Sequence, residues 1–175
     1  MSAVVVQTYS PQDQAQVRDI FFESSSKKSF LDDEEKRGFE WKYLGCYLQH
    51  FPELAFVARN GNKVLGYVLG STESDFETQP HLSAFDDLLT KYSAHLHINC
   101  HAESRGLGVG SLLIGGLEEK LQALNCNGLH IMTGVDARNR SFYQKLGFTF
   151  EAVRNFEQRP ILMMGKTLTS LVSHT

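Results

Sequence analysis

Three glycines at alternate positions, Gly106, Gly108 and Gly110, separate two segments of regular apolar pattern. The segment before them, 94–100, alternates and predicts a strand, whereas the segment after them has leucines at helical spacing. In such a strand–loop–helix unit, the free N–H groups of the first helical turn and the helix dipole attract an anion. Glycine also lets a bulky ligand approach the main chain, because no Cβ stands in the way. We therefore predict a phosphate site at residues 98–113, with a turn that only connects the two elements as the alternative.

The spacing of the glycines decides which phosphate ligand fits. A Rossmann fingerprint fails, because Ser111 stands where its third glycine belongs and no acidic residue follows at the expected distance. A P-loop fails as well, because no Gly-Lys-Ser/Thr string follows four spacer residues. The order from Arg105 to Gly110 is Arg-x-x-Gly-x-Gly. This order resembles the pyrophosphate-binding motif of the GNAT superfamily of N-acetyltransferases.

A second stretch, Phe142 to Phe148, resembles the same superfamily's segment F-Y-x-K-L-G-F. The two motifs occur in the family's order, and the motif-bearing resemblance covers residues 94–167. The layout of residues 47–70, 95–98 and the C-terminal strands more narrowly resembles the acetyltransferase-like C-terminal domain of O-GlcNAc hydrolases and its free-standing microbial relatives. Some members of that branch lack a functional CoA site, but this chain retains the glycines, which favours binding.

The resemblance implies acetyl-CoA as co-substrate and transfer of its acetyl group to a primary amine by direct attack. Two positions depart from the family pattern, because Asp136 and Asn139 stand where asparagine and alanine are usual. A carboxylate would repel the CoA phosphates, so we expect Asp136 to face the pantetheine amides or to cap the following helix. The predicted cofactor contacts are Ile98, Asn99, Cys100, Arg105, Gly106, Leu107, Gly108, Val109, Gly110, Ser111, Asp136, Asn139 and Tyr143.

Tyr143 is the candidate general acid for the leaving thiolate. A phenol with an ordinary pKa near ~10 is protonated at neutral pH and can give its proton to a thiolate, whose conjugate acid has a pKa of about 8.5. The alternative is a tyrosine buried in the core by its ring, with its hydroxyl hydrogen-bonded.

His97 is the candidate general base. Strand alternation places it with His95 and Asn99 on one face of the predicted strand, opposite Ile98 and Cys100. An imidazole can accept the amine proton near neutral pH. The alternatives are a partly buried, hydrogen-bonded histidine and a water relay that ends on the backbone. Cys100 is a weaker candidate for a covalent acceptor, because free cysteine is more often a small core hydrophobe.

The apolar periodicities predict an α/β fold. We predict strands at residues 4–9, 54–59, 63–70, 94–100, 129–135, 148–156 and 161–167. We predict helices at residues 10–22, from about 39 to 51, from about 110 to 124 and at 140–146, with a short one inside 82–92. Hairpins and crossovers alternate, so the sheet is mixed. The resemblance implies a mostly antiparallel GNAT-type sheet of about seven strands flanked by about four helices, in a single domain over 1–175.

Composition excludes several classes of partner and leaves the acceptor open. The net charge is −3 with 17 basic and 20 acidic residues and no basic run, which argues against nucleic acid. No apolar stretch suits a membrane span, no secretory leader is evident, and no metal site is predicted. An odd count of three cysteines favours a reducing, cytoplasmic location. We expect a small-molecule or peptide amine as acceptor, and analogy allows a homodimer through the C-terminal strands.

One insert and one rival function remain open. The insert 73–93 carries five acids against the single base Lys91, namely Glu73, Asp75, Glu77, Asp86 and Asp87. It either concentrates a cationic amine or is a solvated loop.

The rival function is a non-catalytic acyl-CoA-binding or interaction module with a degenerate acetyltransferase fold.

Overall fold

The computed structural model describes residues 3–74 and 79–169. The strands are β1 (Val5–Thr8), β2 (Ala55–Asn60), β3 (Lys63–Ser71), β4 (Ala94–Cys100), β5 (Gly128–Gly134), β6 (Phe150–Phe156) and β7 (Arg159–Thr167). The α-helices are α1 (Gln14–Ser24), α2 (Asp33–Glu40), α3 (Cys46–His50), α4 (Asp86–Leu89), α5 (Val109–Ala123) and α6 (Arg140–Lys145). A π-helical turn at Trp41–Gly45 joins α2 to α3, so these form one continuous helical segment.

Local sequence explains where the first helix begins. The carboxylate of Asp13 accepts the backbone N–H of Ser10 at 2.9 Å and its hydroxyl at 3.2 Å, and Pro11 starts a short 3-10 turn that leads into α1. Proline suits this position because its missing N–H would have no helical partner. The predicted start of the helix at Ser10-Pro11 is confirmed.

In the described residues the strands form a seven-stranded sheet in the order β1-β2-β3-β4-β5-β7-β6. β4 and β5 run parallel and pair at Ala94–Leu129 and His95–His130. The pairs β1–β2, β2–β3, β5–β7 and β6–β7 are antiparallel. The predicted mixed, mostly antiparallel sheet is confirmed.

The chain divides into two compact units, and the first comprises residues up to 70 together with 97–119. In it, Val17, Ile20 and Phe21 of α1 pack in one buried cluster that includes Tyr67 of β3. Leu117 of α5 is fully buried, and a Cβ on Gly70 would come within 2.6 Å of its Cδ1. Glycine at position 70 therefore lets α5 approach the sheet closely.

The second unit comprises residues 71–96 and 120 onward. Tyr92 stacks on Phe150 at 5.0 Å between ring centroids, and a Cβ on Gly165 would meet the Tyr92 ring at 2.9 Å. The short helix predicted within 82–92 is instead a 3-10 turn at Pro80–Phe85 followed by the one-turn α4.

The acidic insert lies partly outside the described residues, where Asp75 and Glu77 are found. Of the rest, Glu73, Asp86 and Asp87 are all exposed, and Asp87 forms a bidentate ion pair with Arg154 of β6. The insert is thus attached to the sheet by packing and by this ion pair, and Asp87 already has a cationic partner.

The single-domain prediction is not tested by the division into units, because β4 and α5 contribute residues to both.

The leucines that the sequence places at helical spacing on α5 are buried at Leu113, Leu117 and Leu121. The prediction that this apolar face continues to Leu124 is wrong, because Leu124 lies beyond the last helical residue and is 46% exposed.

Candidate functional site

The glycine motif begins with a type II turn at Ser104–Leu107. Arg105 has φ −64° and ψ 136°, and Gly106 has φ +80°. The N–H of Leu107 donates to the carbonyl of Ser104 at 3.2 Å and closes the turn. A type II turn needs positive φ at its third residue, so the turn itself explains glycine at position 106.

Gly108 then starts helix α5. Its φ is +73°, and its carbonyl accepts the N–H of Leu112 at 3.1 Å, which makes Gly108 the N-cap residue. The amides of Val109, Gly110 and Ser111 fall in the first turn, where a helix offers no internal acceptor. A Cβ added to Gly106 or Gly108 would meet no described heavy atom within 4 Å apart from those of its two chain neighbours. The main chain is therefore accessible here, and the helix-start amides suit an anion such as a diphosphate.

His97 of β4 lies in an aromatic environment within the first unit. Its ring is 6.2–6.3 Å from the rings of Phe21, Tyr43 and Tyr67 between centroids. The Asn99 amide nitrogen donates to the Tyr67 hydroxyl at 2.8 Å and lies 3.1 Å from Nε2 of His97. His97 and Asn99 therefore share a face of β4, as strand alternation predicted.

The surroundings of His97 reduce its basicity. Burial lowers the pKa of His97 to about 4, because the imidazolium loses its hydration. An amide N–H2 can only donate, so Nε2 is the acceptor in this contact and the ring proton lies on Nδ1. His97 is thus neutral at pH 7, with Nε2 already hydrogen-bonded. These two properties, together with the intermediate exposure of its side chain, favour the alternative of a partly buried, hydrogen-bonded histidine.

Cys100 ends β4 as a thiol. Burial raises its pKa to about 11, although the Arg105 guanidinium acts in the opposite direction. Since the thiolate is the reactive form, a protonated Cys100 is a poor nucleophile. The tyrosine beside this strand behaves similarly, because burial raises the pKa of Tyr67 despite its bond from Asn99.

In the second unit, the stretch Phe142 to Phe148 ends helix α6 with a Schellman motif. The Phe148 N–H donates to the Tyr143 carbonyl at 3.1 Å, the Gly147 N–H donates to the Gln144 carbonyl at 3.0 Å, and Gly147 has φ +90°. The rings of Tyr143 and Phe148 meet at 5.5 Å between centroids, which is the apolar contact that accompanies this motif. Tyr143 is 7% exposed.

Asn139 and Asp136 lie before this helix. Asn139 occupies the N-cap position of α6, and its side-chain oxygen accepts the Thr133 hydroxyl at 3.1 Å. Asp136 is exposed and lies three residues before the N-cap position, and no side chain makes a cap hydrogen bond there, so the capping role expected as one of two for Asp136 is not observed. The predicted contacts from Ile98 to Ser111 thus belong to the first unit, whereas Asp136, Asn139 and Tyr143 belong to the second.

A pair of buried histidines in the second unit was not anticipated. His95 and His130 are opposite each other in the parallel β4–β5 register, with ring centroids 5.5 Å apart. His130 is 1% exposed and donates from Nδ1 to the Tyr92 carbonyl at 2.5 Å, while its Nε2 has no partner in the described residues. Burial lowers the pKa of His130 to about 4, and the bond to Tyr92 partly opposes this effect. Only the strand register brings these histidines together, so sequence spacing could not reveal them.

Metal and membrane features are absent from the part of the chain that the structure describes. Among residues 3–74 and 79–169, no cluster of three or more His, Cys, Asp or Glu side chains could hold a metal ion. No helix in those ranges is both long and apolar enough to span a bilayer.

Comparison with known proteins gives consistent matches. Residues 15–148 match the family model described as Acetyltransferase (GNAT) family. An acetyltransferase of Yersinia enterocolitica is 30% identical over 122 residues, which are 69% of this chain and 70% of that protein. The crystal structure of SsHAT aligns with a TM-score of 0.75 and 21% identity, over 96% of this chain and 100% of that chain. The structure of yncA from Salmonella typhimurium with its cofactor acetyl-CoA aligns with a TM-score of 0.65 and 14% identity, over 99% of each chain.

Proposed function

Since this chain belongs to the GNAT family of acetyltransferases, we propose that it transfers the acetyl group of acetyl-CoA to a primary amine of a small molecule or peptide. Acetyl-CoA is the co-substrate of this family. The observation that carries the proposal is the type II turn at Ser104–Leu107 leading directly into the first amides of α5. Gly106 and Gly108 have positive φ, and because neither carries a Cβ, no side chain at these two positions obstructs a diphosphate that approaches the turn and the start of α5.

The proposed reaction is direct attack. The neutral amine nitrogen attacks the thioester carbonyl, a C–N bond forms, and the C–S bond breaks to release CoA thiolate. Tyr143 gives its phenolic proton to that thiolate and regains one from solvent. The ring of Tyr143 packs against the ring of Phe148 at 5.5 Å between centroids, and this supports the assignment because it fixes the orientation of the phenol.

The proton lost by the amine needs an acceptor, and two remain. His97 is one, but with a pKa of about 4 it is a much weaker base than the amine. A water relay that ends on main-chain carbonyls is the other, and it needs no titrating side chain. The low pKa of His97 supports the relay, with His97 and Asn99 as polar residues of the acceptor site.

The proposal also covers the cellular compartment, the oligomeric state and the branch of the family to which the chain belongs. None of Cys46, Cys100 and Cys126 forms a disulfide bond in the described residues, which supports a reducing compartment such as the cytoplasm. β6 is an edge strand with Val153 58% exposed, which supports pairing of C-terminal strands in a homodimer. The narrower likeness to the acetyltransferase-like domain of O-GlcNAc hydrolases remains a hypothesis about the branch.

A non-catalytic acyl-CoA-binding module is the second candidate. The weak basicity of His97 and the exposed carboxylate of Asp136 favour it. CoA binding is common to both candidates, whereas amine-dependent release of free CoA thiol is expected only of the enzyme. Assaying a panel of amino sugars, polyamines and peptides with acetyl-CoA separates the two.

The test of the cofactor site is thermal unfolding with and without acetyl-CoA. Binding should stabilise the fold by about 2.7 kcal/mol at one hundred times the dissociation constant. Gly108→Val should abolish this shift, because it places a branched side chain at a positive φ and in the open space beside the amides. Native mass spectrometry should show one CoA per chain. A wild-type melting temperature that CoA leaves unchanged would remove the proposal's main support.

A further inference from the structure

A β-bulge in the second hairpin strand lies directly beside the glycine motif. Ala58 pairs with Gly66 but Arg59 pairs with Val64, so Leu65 is an extra residue on β3. A bulge bends its strand and turns one main-chain group away from the ladder. Here the carbonyl of Leu65 accepts the N–H of His101, the first residue after β4, at 2.8 Å.

The same carbonyl is 3.0 Å from the hydroxyl of Ser104. The Ser104 oxygen is also 2.7 Å from the carbonyl of His101, so its single proton is shared between two acceptors. Ser104 is 2% exposed, and it is one of the few buried polar side chains in the described residues. A serine hydroxyl thus links the bulge of β3 to the segment that follows β4.

Ser104 is also the first residue of the type II turn, since its carbonyl accepts the N–H of Leu107. We propose that Ser104 is a positioning residue for the CoA diphosphate, which fixes the turn and the helix-start amides to the sheet. This inference rests on the proposed function, because it presumes that the glycine motif holds CoA. Ser104 has no role of its own in the chemistry.

Ser104→Ala is a clean test, because it leaves no main-chain group without a partner. The Leu65 carbonyl keeps its donor from His101, and the His101 carbonyl keeps the N–H of residue 104 at 2.9 Å. The fold should therefore survive, while the turn loses its side-chain link to the bulge. One hydrogen bond at this position corresponds to a loss of CoA affinity of about tenfold.

Two comparisons make the effect specific. Ser71→Ala is the matched control, since Ser71 is 3% exposed and its hydroxyl donates to the Glu73 carbonyl at 2.8 Å in the second unit. Isothermal titration with CoA should show the loss for Ser104→Ala and not for Ser71→Ala. Pantetheine, which lacks the diphosphate, should compete equally well for the wild type and for Ser104→Ala.

Three outcomes would overturn the inference. CoA affinity of Ser104→Ala within twofold of a CoA-binding wild type would remove this inference alone and leave the proposed function intact. Equal weakening of CoA and pantetheine would indicate a general loss of structure rather than positioning of the diphosphate. A wild type that binds no CoA would remove the proposed function together with the inference.

Discussion

Removal of the Tyr143 hydroxyl separates a catalytic role of this residue from a structural one. The ring contacts of Tyr143 with Phe142 and Phe148 are apolar and survive replacement by phenylalanine. Tyr143→Phe should therefore lower kcat by about 10²–10⁴-fold, the usual range for a lost general acid, and leave the CoA dissociation constant unchanged. Steady-state kinetics with a responsive amine, together with calorimetry, measures both.

The matched control for this variant is Tyr92→Phe. Tyr92 is 2% exposed, and its ring stacks on Phe150, so it also presents a buried phenol in the second unit. We expect it to retain wild-type kcat. A Tyr143→Phe enzyme with full kcat would show that solvent protonates the thiolate and that Tyr143 serves the Schellman motif alone.

Some properties of the candidate site residues could be predicted from the sequence, and others could not. The sequence placed His97 and Asn99 on one face of β4, because strand alternation is a local property. It could not foresee that Nε2 of His97 is hydrogen-bonded to Asn99, or that burial lowers the pKa of His97 to about 4, since both depend on α1 and β3 packing around the ring.

At the scale of elements, the type II turn makes a specific prediction about Gly106. Alanine at φ +80° costs roughly 1–2 kcal/mol of strain, and relief of that strain would reorient the amides of the turn. Gly106→Ala should lower both the free energy of unfolding and the affinity for CoA. Urea unfolding and calorimetry measure the two quantities.

Gly61 provides a matched control, because it lies in the β2–β3 hairpin at φ +59° and a Cβ there also meets nothing within 4 Å. Gly61→Ala should reduce stability by a similar amount without changing CoA affinity. If both variants bound CoA like the wild type, the conformation of the turn would be irrelevant to the cofactor.

Elements that depend on local signals were predictable, and those that depend on neighbours were not. The Ser10-Pro11 helix start and the helix end at Gly147 follow from capping chemistry, and the β2–β3 hairpin from turn chemistry. The hairpin turns at Gly61–Asn62, one residue later than Asn60-Gly61, because Asn60 still pairs with Lys63 and the positive φ is at Gly61. The bulge at Leu65 and the π-helical turn at Trp41–Gly45 carry no comparable local signal. The bulge depends on the register of β3 against β2, which the sequence of one strand alone does not give.

At the scale of the whole molecule, buried histidines predict sensitivity to acid. The pKa of His130 is lowered to about 4 from its ordinary value of 6.5, so the unfolded chain binds an extra proton between these pH values. His130 contributes about 3 kcal/mol to the free energy of unfolding. This contribution is fully present above pH 6.5 and is lost as the pH falls toward 4. His97 acts in the same direction.

Urea unfolding between pH 4 and 7 tests this prediction. His130→Gln should reduce the slope of stability against pH by about one proton, because it removes one titrating group. An unaltered slope in His130→Gln would mean that His130 titrates equally in the folded and unfolded chains.

The bond from His130 to the Tyr92 carbonyl has a spectroscopic consequence. A carbonyl only accepts, so His130 is held as a single tautomer with its proton on Nδ1, 2.5 Å from that oxygen. A proton in so short a bond, on a ring that is 1% exposed, exchanges with solvent only when the structure opens. It should therefore give a resolved NMR resonance far downfield of the amides. The disappearance of this resonance in deuterated water therefore reports the opening of the β4–β5 region, and no isotope label is needed to observe it.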